Sequence, residues 1–279
     1  MTVPYFALLH TSASLSWTSF SVHPSTVIGL LALSALYAWR ARVERARGAP
    51  PLGRARPILF GAAVLTMFLS LNGWLHDLSD SYLFSAHMLQ HLLLAFAVAP
   101  LMVMGTPGWM LRPALRYRAV AAIGRALTRP KVCFGTFNVV MAGWHLPVLY
   151  NAAMAMHPLH IVMHLTMLAA AVMMWWPVLS PLPELPRLAY PMQMLYLFLM
   201  TIPMSIIAVC IVYSGAVLYP AYASAPRVIA LSPLQDQLIG GLIMWVPGGL
   251  YFFTVISVIF FRWQQADGVE TQVGAQARA

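Results

Sequence analysis

Residues 84–104 read FSAHMLQHLLLAFAVAPLMVM, 21 positions without a charged side chain. About 20 apolar residues of helix cross a hydrocarbon core, so this stretch makes a membrane span. His87 and His91 stand four apart at its start. On a helix that spacing puts both imidazoles on one face, with Cβ atoms about 5–6 Å apart.

Outward from this stretch, six more apolar runs have spanning length: about 24–40, 57–75, 131–150, 158–178, 189–214 and 236–261. The chain of 279 residues is 61% hydrophobic and 8% charged, with mean hydropathy +0.76. Soluble domains carry nearer a quarter charged residues. The expectation is an all-α polytopic membrane bundle of seven transmembrane helices over residues 24–263. An external N-terminal segment (1–23) precedes it, and a polar, disordered cytoplasmic tail (264–279) follows. Residues 1–22 lack the basic and compact apolar regions of a signal peptide.

The loop from Arg40 to Arg56 holds six arginines and one glutamate, and the loop from Gly105 to Lys131 holds five arginines and Lys131. The second and fourth loops, HDLSDSYL and NAAMAMHP, hold neither Lys nor Arg. The positive-inside rule therefore places loops one, three and five in the cytoplasm, the N-terminus outside and the C-terminus inside. The net charge of +9 reads as topology signal and lipid contact, with no nucleic-acid partner. Cys133 and Cys210 fall near opposite faces, which supports neither a disulfide nor a thiolate metal site. Pro100, Pro147, Pro203 and Pro247 lie inside spans, and Pro247-Gly248-Gly249 is the expected break.

In this topology every histidine lies on the outer side. His160 and His164 form a second HxxxH pair at the start of the fifth span, and His145 lies near the outer end of the fourth. His76 and Asp77 close the second span, and Asp236 opens the seventh. Ionisable groups at a bilayer edge are costly and usually functional, and imidazole is the commonest metal ligand among side chains. Five helices thus offer His76, Asp77, His87, His91, His145, His160, His164 and Asp236 to one layer as candidate metal ligands. Either HxxxH pair alone reads equally as interfacial histidines. Asp236 reads equally as a carboxylate favoured by the N-terminus of its own helix. His10, His23 and His157 read as plain polar residues of the outer face, and Asp80 as a solvated loop residue. Met88, Met154, Met156 and Met163 lie near the histidines in sequence, where thioethers suit Cu(I) but equally pack irregular cores.

Three segments resemble one family in order: residues 84–107, FSAHMLQHLLLAFAVAPLMVMGTP; residues 144–179, WHLPVLYNAAMAMHPLHIVMHLTMLAAAVMMWWPVL; and residues 236–249, DQLIGGLIMWVPGG. Together they resemble the CtaG family of multi-spanning cytochrome c oxidase assembly factors, the type associated with caa-type oxidases. The resemblance implies a bacterial inner-membrane protein that is not an enzyme and whose partners are oxidase subunits. It also implies a role in supplying copper to the oxidase's catalytic subunit, and ligand chemistry adds that the histidines hold the copper at an open site and pass it on by ligand exchange. Carried over by position, the motif copies are His87, Gln90, His91, Trp144, His145, Pro147, Tyr150, His160, His164, Asp236 and Trp245 to Gly249. Residues 1–56 show no matching motif. Two rivals stand beside this reading: a metal- or haem-dependent membrane redox enzyme, and a copper transporter. The transporter would need polar stepping stones across the bilayer, and the clearest mid-span polar residues are Asn72 and Asn138.

Overall fold

A computed structural model describes residues 20–276, with side chains described through Asp267. Every regular element among the described residues is helical. Five single runs are long and apolar enough to span a membrane: Pro24–Ala46 (α1), Phe84–Gly105, His157–Leu179 (α10), Tyr190–Val212 (α11) and the Pro233–Asp267 part of the last helix, Pro233–Gln276 (α13). Two bent pairs also qualify together. Ala55–Ser70 (α2) and Gly73–Ser81 (α3) meet at 47°, and Pro130–His145 (α8) and Pro147–Ala155 (α9) meet at 71°. Counting each pair as one span gives up to seven.

The breaks have local causes. Pro disfavours helical backbone at the residue before it. Leu146, ahead of Pro147, is extended at φ −64°, ψ 128°, so α8 stops at His145. Between α2 and α3 the chain is extended at Asn72 and then turns through Gly73 at φ +67°, a region that favours glycine.

The Phe84–Gly105 run is α-helical over Phe84–Leu92 (α4) and Ala99–Gly105 (α5), with a π-helical turn at Leu93–Val98 between them. Within that turn Ala99 N–H bonds Leu94 O, five residues back. The same pattern would give Ala95 O to residue 100, but Pro100 has no N–H. The indole of buried Trp175 donates to Ala95 O instead, at 2.8 Å. The expected break at Pro247 does not occur, since α13 runs through it unbroken. α13 continues to Gln276.

The main core is formed by Phe84, Met88, Phe96, Met163, Met167, Trp175, Met200, Met204 and Phe252, drawn from α4, the π turn, α10, α11 and α13. Outside it, Ile28, Val139, Leu165, Ile206 and Leu250 are exposed. An apolar exterior of this kind suits lipid.

Loop three carries two short helices, Gly108–Leu111 (α6) and Arg118–Leu127 (α7), and the loops sort into two ends. Tyr37 donates to Gly105 O at 3.0 Å and Arg40 to Met110 O at 2.8 Å, joining loop one to loop three. Arg112 Nε bridges Glu184 Oε1 at 2.7 Å and joins loop three to loop five. At the opposite end, Tyr222 in the short helix Pro220–Ala223 (α12) donates to Ser79 O at 2.6 Å. Its hydroxyl also lies 2.9 Å from that of Tyr150. Burial pushes the Tyr222 phenol well above its ordinary value, so it keeps its proton. That proton goes to the Ser79 carbonyl, and Tyr150 donates to Tyr222.

Candidate metal centre

The Tyr222 end is where the histidines gather. α3, the start of α4, the broken end of α8 and the start of α10 converge there. Asp236 of α13 fixes the start of α4: Oδ2 accepts Phe84 N–H at 2.7 Å, and Oδ1 accepts Ser85 N–H at 3.1 Å and the Ser85 hydroxyl. These are backbone donors that a helix N-terminus leaves unpaired. Gly240, one turn along α13, makes the approach possible, because a Cβ there would lie 2.4 Å from Phe84 Cδ1. Asp236 therefore caps α4 from the first turn of its own helix. Asp77 accepts the Ser21 hydroxyl at 2.6 Å.

The imidazoles do come together. Ring centroids lie 4.3 Å apart for His87–His91, 5.3 Å for His91–His164, 5.6 Å for His87–His160, 5.7 Å for His87–His164 and 6.1 Å for His91–His145. His160 Nε2 and His164 Nε2 are 2.9 Å apart, so one carries a proton and the other accepts it.

His145 is held in one tautomer. Its Nδ1 lies 2.7 Å from Met141 O, which only accepts, so Nδ1 carries the proton. Buried Nε2 is left as a bare lone pair with no hydrogen-bond partner. An imidazole held through one nitrogen by a carbonyl is oriented to give the other to a metal.

His87 is fully buried and His91 4% exposed, and none of their four ring nitrogens has a hydrogen-bond partner. His164 Nδ1 is in the same state. A buried polar group left unsatisfied costs roughly 1–3 kcal/mol. Six such nitrogens in one cluster are a poor design for stability and a good one for holding a ligand. The donor set is nitrogen-rich, and one nitrogen from each of His87, His91 and His164 lies within 4.8 Å of the others. These residues fit a metal ion.

His76 joins from the side. Gln90 Nε2 donates to Ser70 O at 2.6 Å, a carbonyl exposed by the α2–α3 break, and lies 3.3 Å from His76 Nδ1. With a donor at Nδ1, the ring proton sits on Nε2, which faces Asp80 Oδ2 at 3.4 Å. Asp80 is no solvated loop residue: its side chain is 7% exposed, and Oδ2 lies 3.6 Å from His160 Nδ1. The missed signal is its spacing from His76, the same four residues that mark the HxxxH pairs. His23 also belongs nearer the site than expected, its ring packing edge-on against His76 at 4.3 Å. His157 is exposed, as read from the sequence. His10 lies outside the described residues. Met88, Met154 and Met163 are buried in the core, and Met156 is exposed.

No curated protein and no solved structure matches the chain. A family model described as cytochrome c oxidase caa3 assembly factor matches residues 35–266. That span contains α4, α8, α10 and the whole histidine cluster from His76 to His164. On a match covering most of its length, the chain belongs to the cytochrome c oxidase caa3 assembly factors.

Proposed function

We propose that the protein holds copper at the histidine end of its bundle and supplies it to the catalytic subunit of cytochrome c oxidase. The observation that carries this reading is the set of buried, unpartnered ring nitrogens of His87, His91, His145 and His164. Nitrogen sites favour copper over the other divalent first-row ions. His87, His91 and His164 hold the ion, and His145 Nε2 stands beside them. Asp236 and Gln90 position the helices that carry these ligands. The role is delivery rather than catalysis: the ion leaves by exchange of imidazoles for ligands on the partner.

The setting is a bacterial plasma membrane with the arginine loops inside, so the site faces the outer compartment. The copper centres of an oxidase subunit inserted beside it are then reached without crossing the bilayer. The transporter reading gains little from the mid-span polar groups. Asn72 is tied at both ends of its amide, to Phe68 O and His23 N–H, and Asn138 donates to Phe134 O and Met200 Sδ, leaving one unpaired oxygen, Oδ1.

The test is metal analysis of the protein purified without a histidine tag, beside oxidase activity in a deletion strain. Copper in the wild-type protein and loss of oxidase activity in the deletion support the reading. A metal-free protein that still restores the oxidase removes it.

A further inference from the structure

The cluster has two levels. His87 and His160 each precede His91 and His164 by four residues, about 6 Å of helix rise nearer the end of the bundle. The ligand atoms of His87, His91 and His164 lie within 4.8 Å of one another, and so do those of Asp80, His87 and His160. His87 belongs to both groups. The first is all nitrogen; the second includes a carboxylate oxygen. Asp80 is little used by the fold, since one oxygen accepts the Ser79 hydroxyl at 3.1 Å and the other faces His76 and His160. A side chain this buried, aimed between two imidazoles and beside the unpartnered His87, is placed as a ligand.

We infer that Asp80, His87 and His160 form a second metal-binding group, through which the ion enters and leaves the deeper group of His87, His91 and His164. The inference rests on the copper-holding reading above and gives that site its route. Transfer keeps the His87–metal bond. Bonds to His91 and His164 form as those to Asp80 and His160 break, and the reverse on release. No electron moves, and the ion is never without protein ligands. The carboxylate leaves the outer group one imidazole short of the deep group, and so the weaker holder of copper, which imidazole suits better than carboxylate. That suits a place of passage.

The experiment uses the full chain in detergent, without a histidine tag, given one equivalent of Cu(II) alone and read by electron paramagnetic resonance. Asp80→Asn and His160→Gln each remove the outer group and leave the deep one. Both should still bind copper, with an all-nitrogen signature. His91→Ala combined with His164→Ala removes the deep group and should leave copper with a mixed nitrogen–oxygen signature. In the outer-group variants, release to an added chelator should be slower than in wild type.

Loss of all copper in either class means one composite site and overturns the inference. So does the same signature in both classes, or unchanged release. Asp80→Asn and His160→Gln are independent, so a misfolded variant of one leaves the other to decide. A wild-type protein that takes no Cu(II) instead defeats the copper-holding reading itself.

Discussion

Replacing Asp236 with Ala separates a residue that builds the site from one that binds metal. The carboxylate accepts two buried backbone N–H groups and one hydroxyl at the start of α4. Removing it strands both N–H groups, at roughly 1–3 kcal/mol each, and loses a favourable charge at a helix N-terminus, at about 0.3–1 kcal/mol. Alanine supplies no replacement and leaves a small cavity against Phe84. The expected loss is about 3–5 kcal/mol. At about 2–4 °C per kcal/mol, the thermal midpoint in detergent should fall by roughly 10 °C. Copper bound per folded molecule at low temperature should stay near wild type, because no ligand has been removed. A midpoint within about 2 °C of wild type would refute the capping argument. An unchanged midpoint with lost copper would make Asp236 a ligand after all.

Gly240→Val should destabilise strongly, since even a Cβ at that position would lie 2.4 Å from Phe84. Gly29→Ala in α1, with open space around its Cβ, should stabilise by about 0.5–1 kcal/mol; equal melting shifts for the two would contradict the packing described. Tyr222→Phe removes the donor to Ser79 O and should cost roughly 1–3 kcal/mol, whereas Tyr213→Phe, on a ring 76% exposed, should be silent in the same melt. Reporter fusions after Arg47 and Arg118 should be cytoplasmic and those at Ser81 and Ser224 external. A cytoplasmic reporter at Ser81 would reverse the orientation and face the histidines inward.

The HxxxH pairs could be read from sequence because four-residue spacing on a helix is local geometry. His76 and Asp80 obey the same rule. Asp80 escaped because HDLSDSYL looks like a loop, and the two-residue break before Gly73 lets a new helix start where the apolar run fades. The partner of Asp236 is 152 residues away, so nothing near it in sequence shows that it caps α4. The prolines divide for similar reasons. Pro147 follows a residue free to become extended at the end of the bundle, whereas Pro247 lies in a helix packed along α11 and α4 and continuous through it. The π turn after His91 depends on Pro100 and on an indole from another helix, and only the first of these is nearby in sequence. The two-ended sorting of the loops followed from the arginine pattern, because charge placement and connectivity constrain each other in any bundle.

The most direct measurement is cytochrome c oxidase activity under copper limitation in cells carrying His91→Ala or His164→Ala, with the amount of the protein in the membrane checked in parallel. Each change removes a ligand of the deep group and little packing. The account predicts normal membrane abundance and reduced oxidase activity, partly restored by added copper because mass action offsets a weakened site. Full oxidase activity in copper-limited cells, with the variant present at wild-type level, would contradict it.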